Sequence, residues 1–251
     1  MRSRLITFVA AGVVIAAVLA GCAAPQPDVE PEPTVSAPVH PQPAPSQDAD
    51  SAPIEFSVGK AATAVGPEVI AYDAPEGAEV ARFANPIASG APLTFLVEAS
   101  EGDWMRVKLP MRPNGSVGWI DAASVTVASL HYSLDVSTAD RTVTLLKDNE
   151  PVETFAAAVG TGDTPTPVGS FYLTELLAPT NHGYGPYAYG ISAFSDVLNS
   201  FGGGPGQIGM HGTDDSGSIG EAASHGCIRL SNEDITYLAE TLPLGTPITI
   251  S

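Results

Sequence analysis

Cysteine and positive charge are both scarce in this sequence. Its 251 residues include two cysteines, and ten lysines and arginines stand against 28 aspartates and glutamates, for a formal net charge of −18. Nucleic acid is therefore a poor candidate partner, because phosphate binding requires a basic surface. The excess of negative charge favours solubility and carries no information about the fold.

Long hydrophobic runs are scarce as well. The one clear run extends from Leu5 to Ala20, follows Arg2 and Arg4, and is too short for a membrane-spanning helix. A basic start followed by such a run is typical of a secretory signal peptide. The run leads into the sequence LAGC, which resembles the lipobox of bacterial lipoproteins. The resemblance implies removal of residues 1–21 and acylation of Cys22, and a simple signal peptide with an incidental cysteine is the alternative.

The rest of the chain is expected to be exported. Because no second apolar run follows, everything after Cys22 is predicted to lie at the outer face of the cytoplasmic membrane, in the cell-wall zone, held by acyl chains. Loss of the leader would leave eight basic residues against 28 acidic ones, a charge of −20. Cys227 then has no disulfide partner, and an unpaired thiol in an exported protein is a candidate reactive group. A small buried structural residue is the alternative.

Residues 22–56 are rich in proline, alanine and acidic residues and show no hydrophobic periodicity. They are predicted to form a disordered tether, because they cannot bury enough apolar surface to fold. In a polyproline II conformation, with a rise of about 3.1 Å per residue, the tether would span roughly 100 Å. That reach suits a substrate outside the bilayer.

Residues 57–128 are predicted to form a small β-barrel, because short strands alternate with turn signals such as Asn114-Gly115. The sequences GDWMRV and GSVGWI resemble the W-x-x-V and G-x-x-G-W patterns of bacterial SH3-like domains, which implies that fold. Trp104 and Trp119 are expected to pack within this unit, and an exposed binding ledge is the alternative. The expected strands are residues 68–71, 92–97, 104–108 and 117–120.

Residues 129–251 are predicted to form a second, mostly β unit with one C-terminal helix. The helix is expected over Asn232–Leu242, with Ser231 as N-cap and Gly245 beyond its end. The Gly- and Tyr-rich stretch 183–204 is expected to be irregular. The expected strands are residues 142–147, 154–159, 170–175, 207–211 and 246–250.

The second unit also carries the chemical signature of the chain. His211 precedes the string Ser224-His225-Gly226-Cys227, and TPVGSF stands at residues 166–171. This arrangement resembles that of the YkuD-type L,D-transpeptidases, which have a histidine upstream of S/T-H-G-C and a T-P-x-G-x-F strand entry. Family members often have asparagine two residues after the cysteine, whereas this chain has Arg229.

The resemblance implies roles for the motif residues. A thiol needs a base within hydrogen-bond reach to attack an amide efficiently. The implied nucleophile is Cys227, the base is His211, and the carbonyl of Gly212 orients the base. The tetrahedral intermediate needs preorganised N–H donors. The resemblance assigns close backbone approach to the oxyanion to Gly226. It assigns the shape of the oxyanion pocket to Ser224 and His225.

The resemblance also implies a substrate, the tetrapeptide stem of peptidoglycan. Cys227 would form a thioester acyl-enzyme, and an amine of a second stem would resolve it into a 3-3 cross-link, with no cofactor and no metal. Carbapenem-type β-lactams would acylate the same thiol. Tyr187, Tyr189 and Arg229 are candidate substrate contacts, Arg229 because it is the sole lysine or arginine after Lys147.

Several alternatives remain open from the sequence. Arg229 could pair with Glu233 instead of substrate, and His211, His225 and Cys227 could hold zinc. The chain could also be an inactive, tethered peptidoglycan-binding lipoprotein. A papain-like enzyme is disfavoured, because its cysteine precedes its histidine in the chain.

Overall fold

The computed structural model describes residues 57–200 and 204–251. The predicted leader, the acylation of Cys22 and the tether lie outside these residues. Within the described part of the chain, no helix is both long enough and apolar enough to cross a membrane. Strands dominate this part of the chain, which confirms the mostly β fold class.

The first seven strands form one antiparallel sheet in the order β3-β2-β6-β5-β4-β1-β7. Phe95, Val107 and Ile120 are fully buried in a core that this sheet encloses. The SH3-like assignment of this unit stays a prediction. The strands are β1 Gly59–Ala64, β2 Glu68–Tyr72, β3 Glu79–Ala84, β4 Thr94–Glu101, β5 Trp104–Lys108, β6 Val117–Asp121 and β7 Val125–Leu130.

The remaining strands form an eight-stranded sheet, β10-β9-β8-β17-β12-β13-β14-β16, and a small parallel pair of β11 and β15. In the large sheet, β17 is parallel to β8 and β14 is parallel to β16. The strands are β8 Tyr132–Ser137, β9 Thr142–Lys147, β10 Glu150–Ala156, β11 Val159–Gly160, β12 Gly169–Leu177, β13 Ala188–Phe194, β14 Gln207–Gly212, β15 Ala222–Ser224, β16 Ile228–Leu230 and β17 Pro247–Ile250.

A single α-helix, α1 Asn232–Thr241, occurs in the described residues. The Ser231 hydroxyl accepts a hydrogen bond from the N–H of Asp234, so the predicted N-cap is confirmed. Ile235 and Leu238 are fully buried in the core of the large sheet. The helix therefore covers the sheet through one apolar stripe.

The two sheets touch through a small apolar cluster. Ala61, Leu96 and Leu130 of the first sheet bury Tyr172 of β12. Gly245 lies at the same contact, where a Cβ would come within 2.6 Å of Ala61 Cβ. The contact therefore requires glycine at that position.

A loop of the first unit also contacts the second. The Arg112 guanidinium donates to the carbonyls of Ser195 and Leu198, at 2.8 and 3.0 Å, and its Cζ lies 5.2 Å from the centre of the Phe194 ring. The Asn114 side chain makes two hydrogen bonds with the backbone of Phe194. These contacts hold the end of β13.

Candidate active site

One face of the large sheet is lined by small residues next to His211. Ala188 of β13 pairs with His211 of β14, and Gly190 pairs with Gly209 two residues along. Directly opposite residues point to the same face, and so do alternate residues of one strand. Because three of these four positions carry no side chain beyond Cβ, the face is open above the strands.

Cys227 lies over this face. Its Sγ is 3.9 Å from the point where a Cβ of Gly209 would be. The cavity that contains it has a volume of about 440 Å³. The cavity lining includes Glu175, Tyr184, Gly190, Gly209 and Cys227. The residue itself is half-buried, so the thiol is reachable from the cavity.

The turn that presents Cys227 is fixed by hydroxyl groups. The buried Ser224 hydroxyl donates to the carbonyl of Cys227 at 2.5 Å and accepts from the N–H of Gly226 at 3.1 Å. Thr166 donates to the carbonyl of Gly226 at 2.9 Å. Gly226 has φ of +115°, a conformation that glycine adopts readily. Ser224 and Gly226 therefore shape the turn. Thr166, the first residue of the TPVGSF motif, also fixes it, a role that the sequence analysis did not assign.

The N–H groups of the turn are not equally engaged. The N–H of Gly226 is hydrogen-bonded to Ser224, whereas the N–H of Cys227 has no hydrogen-bond partner in the described part of the chain. A free N–H next to the nucleophile is a suitable donor to an oxyanion. His225 lies exposed beside this turn.

His211 is buried, with 4% of its surface exposed. Its Nδ1 lies 2.7 Å from the carbonyl oxygen of Gly212, which is the predicted orienting contact. Donation of the Nδ1 proton to that carbonyl leaves Nε2 as the free, basic nitrogen.

Burial shifts the pKa values of both groups. It lowers the pKa of His211 below its ordinary value of 6.5, and the Arg229 charge lowers it further, whereas the hydrogen bond to Gly212 opposes the shift. Burial raises the pKa of Cys227 above its ordinary value, against a backbone hydrogen bond with Gly209 and the charge of Arg229. Thiol and imidazole are therefore both neutral at neutral pH.

Tyr189 is part of the lining of the Cys227 cavity, but its side chain does not face the cavity, so a side-chain contact with substrate is contradicted. Its side chain is 1% exposed, and its hydroxyl lies 2.9 and 3.1 Å from the carbonyl oxygens of Leu242 and Leu238. Tyr189 precedes Gly190 in β13 and so points to the core side of the sheet. Tyr187 is half-buried against the same core and does not line the Cys227 cavity, and its contact with substrate stays a prediction.

Tyr184 is the tyrosine that reaches the site, and the sequence analysis did not select it. Its ring centre lies 4.4 Å from that of His211. Burial raises the pKa of Tyr184, and the nearby Cys227 thiolate would raise it further. The residue ends a short 3-10 turn, His182–Tyr184, that precedes β13. No periodicity in the sequence distinguished it from the neighbouring tyrosines.

Arg229 is half-buried and follows the nucleophile in β16, where it pairs with His211. It lines a separate cavity of about 410 Å³ beside Asp214 and Asp215. No ion pair between Arg229 and Glu233 occurs among the salt bridges of the described residues. The charge acts electrostatically on the pKa values of His211 and Cys227 instead.

Metal binding finds no support in this geometry. Among residues 57–200 and 204–251, no group of three or more His, Cys, Asp and Glu side chains could hold a metal ion. The zinc alternative required such a group around Cys227 and His211.

Comparison with known proteins agrees with the motif. The YkuD family, described as the L,D-transpeptidase catalytic domain, matches residues 131–250. The putative L,D-transpeptidase YkuD of Bacillus subtilis (strain 168) is 34% identical over 123 residues, which are 49% of this chain and 68% of that protein. This chain belongs to the L,D-transpeptidase family. It is accordingly an enzyme of that class.

Further L,D-transpeptidases also match this chain. The probable L,D-transpeptidase YbiS of Escherichia coli (strain K12) is 51% identical over 39 residues, 16% of this chain and 13% of that protein. An L,D-transpeptidase structure from Mycobacterium smegmatis covers 63% of this chain and 90% of its own, with 17% identity and a TM-score of 0.41. L,D-transpeptidase 3 of Mycobacterium tuberculosis, solved with a faropenem-derived adduct, covers 56% and 75%, with 17% identity and a TM-score of 0.43.

Proposed function

We propose that this L,D-transpeptidase acts on peptidoglycan, with Cys227 as nucleophile and the tetrapeptide stem as acyl donor. The observation that carries the proposal is the hydrogen bond between His211 Nδ1 and the carbonyl of Gly212, next to a cavity that contains the Cys227 thiol. That bond leaves His211 Nε2 basic and directs it away from its own backbone, as a general base requires.

The first half-reaction is an acyl transfer to sulfur. The Cys227 thiol gives its proton to His211 while sulfur attacks the carbonyl carbon between the third and fourth stem residues. The oxyanion accepts a hydrogen bond from the N–H of Cys227. The peptide C–N bond then breaks, and the imidazolium returns the proton to the leaving amine of D-alanine. An amine of a neighbouring stem resolves the thioester into a 3-3 cross-link.

Mass spectrometry tests this proposal. The chain without residues 1–21, with Cys22→Ser to prevent lipidation, is incubated with a disaccharide-tetrapeptide. We expect an adduct at Cys227 that lacks D-alanine, and a cross-linked dimer, and we expect Cys227→Ala to abolish both. Binding of the disaccharide-tetrapeptide without any adduct would favour the inactive, tethered binding protein instead.

Carbapenem-type β-lactams are proposed inhibitors, because their strained ring offers an amide-like carbonyl to the same thiol. Intact-mass measurement should show one added carbapenem, and the addition should be lost in Cys227→Ala. An adduct that survives this substitution would place the reactive group elsewhere.

We also propose that the protein is an exported lipoprotein anchored through Cys22. The support is the basic start, the apolar run and the LAGC sequence. Fractionation of the producing cells should find the protein in the membrane fraction, and Cys22→Ser should release it. A membrane-bound Cys22→Ser protein would contradict the anchor.

A further inference from the structure

A carboxylate faces Cys227 across the open part of the sheet. Glu175 of β12 pairs with Gly190 of β13, which in turn pairs with Gly209 of β14. The pairing of β12 with β13 is irregular between Leu173 and Glu175, and such a bulge re-aims a side chain. Glu175 Oε1 lies 2.7 Å from the point where a Cβ of Gly190 would be.

Gly190 and Gly209 therefore form the floor of a trough between the carboxylate and the thiol. Paired residues have Cβ positions about 5 Å apart, so Glu175 Oε1 and Cys227 Sγ lie at most about 12 Å from each other. Any larger residue at either glycine would fill this space.

The trough opens into a groove between the two sheets. Glu175, Leu177, Gly204 and Gln207 line both the Cys227 cavity and this groove, whose volume is about 710 Å³. The opposite wall comes from the first unit and is mainly apolar, with Phe83, Ile87, Ala88 and Pro110. It also carries Arg82, whose charge is paired with Glu68 and Glu79.

The Glu175 carboxylate lacks a cationic partner of its own. No lysine or arginine of the described residues lies within 4 Å of it. After Lys147 the chain has Arg229 as its single lysine or arginine. A half-buried carboxylate without a paired cation, in the same cavity as the reactive thiol, is complementary to an ammonium group.

We infer that Glu175 binds the ammonium group of the acyl acceptor and that the groove between the sheets receives the remainder of that molecule. The inference rests on the proposed function and adds the place where the amine-bearing acceptor binds: its ammonium group at Glu175 and the rest of the stem in the groove past Leu177. Water, a carboxylate-ended acceptor and a hydroxyl acceptor are disfavoured at this position.

The acceptor ammonium loses one proton to water before the attack. The resulting amine, held by a hydrogen bond to the Glu175 carboxylate, attacks the thioester carbon. The C–N bond forms and the C–S bond breaks. The second proton of the amine passes through His211 to sulfur, which restores the thiol.

Glu175→Gln tests the carboxylate, because glutamine keeps the shape and removes the charge. The chain without residues 1–21 is given disaccharide-tetrapeptide, and the rates of acyl-enzyme formation, cross-linking and hydrolysis are measured separately. We expect the ratio of cross-linking to hydrolysis to fall about tenfold and the apparent KM for the acceptor to rise. Glu153→Gln, at an exposed position on the distant strand β10, is the matched control and should keep the ratio of the parent protein.

Ala88→Trp tests the groove. Ala88 is exposed and lines the wall opposite Glu175, so tryptophan would obstruct a long acceptor. The rate with a disaccharide-tetrapeptide acceptor should fall at least fivefold more than the rate with glycinamide, whereas the exposed Ala139→Trp should affect both equally.

Failure of the Glu175 role, failure of the groove and failure of the proposed function would each give a different result. An unchanged ratio of cross-linking to hydrolysis in Glu175→Gln, with the acyl-enzyme formed, overturns the role of Glu175 alone. An equal loss for both acceptors in Ala88→Trp overturns the groove. Absence of any acyl-enzyme in the parent protein overturns the proposed function itself. Unchanged melting temperatures exclude misfolding as the cause.

Discussion

Burial disfavours the charged forms of His211 and Cys227, and it therefore shifts their pKa values in opposite directions. It lowers the pKa of His211 and raises the pKa of Cys227, so the site holds a neutral imidazole and a neutral thiol at neutral pH. Both shifts disfavour a preformed thiolate–imidazolium pair. Proton transfer must accompany the attack.

This assignment predicts the acid limb of the pH profile. Protonated His211 cannot accept the thiol proton, and its lowered pKa moves protonation to lower pH. We expect the midpoint of the acid limb of kcat/KM for acylation to lie below pH 6.5, the ordinary pKa of histidine. Stopped-flow measurement of carbapenem acylation as a function of pH checks it. An acid limb centred above pH 6.5 would contradict the direction of the shift.

Arg229 carries a second residue-scale prediction. Its charge lowers the pKa of both His211 and Cys227, so Arg229→Gln should move the acid limb to higher pH. If it also binds a stem carboxylate, kcat/KM for the stem should fall by an amount equivalent to about 1.5 to 3 kcal/mol. Thermal stability should barely change, because the described structure gives Arg229 no ion pair.

One combination of results would contradict this role of Arg229. An Arg229→Gln enzyme that melts several degrees lower yet keeps the parent pH profile and turnover would show a structural residue. Arg141→Gln is a useful control, since Arg141 is a partly exposed arginine of the same unit, whose nearest carboxylate, Glu221, lies 3.9 Å away.

At the scale of elements, local sequence signals predicted where the helix and several strands begin and end. They did not predict which face of the sheet a side chain occupies. Ser231 and the apolar stripe predicted α1 to within a residue at its C-terminal end, and the strands at residues 104–108 and 142–147 match at both ends. These features depend on neighbours in sequence. The strand β13 was expected to be irregular, because glycine weakens strand propensity, although the chain uses Gly190 to keep the cleft open.

The side-chain directions of the tyrosines near the site could not be predicted from local sequence either. Which face Tyr189 occupies depends on the register of β13 against β12 and β14, and a shift of one residue would reverse it. The motif Ser224-His225-Gly226-Cys227 could be found because its members are adjacent in the chain. Glu175 and Tyr184 reach the cavity through long-range pairing and a 3-10 turn, which no local pattern encodes.

The turn that holds Cys227 gives the element-scale prediction. Thr166 accepts from the N–H of Gly160 and donates to the carbonyl of Gly226, both at 2.9 Å. Thr166→Val keeps the shape and leaves both backbone groups unpaired in a buried place, at a cost of about 1 to 3 kcal/mol in unfolding free energy. Acylation should slow as well, because the turn loses one of its fixing contacts. Urea denaturation and acylation rates check both effects.

Thr154→Val is the matched control for Thr166→Val. Thr154 is an exposed threonine on β10 whose hydroxyl bonds only to that of Thr144, so its replacement should cost little stability. Equal effects of the two substitutions would show that the hydroxyl of Thr166 does not fix the turn.

At the scale of the whole molecule, the first unit does more than precede the catalytic one. It supplies one wall of the groove and holds the end of β13 through Arg112 and Asn114. β13 carries Gly190 and pairs with β14, which carries His211. The contacts of Arg112 and Asn114 therefore help to position the strands that form the floor of the site. The sequence predicts two units in this part of the chain, but function is expected to depend on the contact between them.

Arg112→Ala tests that dependence. The substitution removes hydrogen bonds to three carbonyl groups and the stacking on Phe194, and it should lower the unfolding free energy by about 1 to 3 kcal/mol. We expect cross-linking to fall more than acylation, because the segment released borders the groove through Gly204 and Pro205. Arg82→Ala, which removes exposed ion pairs with Glu68 and Glu79 within the first unit, should change stability far less. Equal losses of acylation and cross-linking in Arg112→Ala would mean that the contact supports the fold as a whole and not the acceptor side of the site.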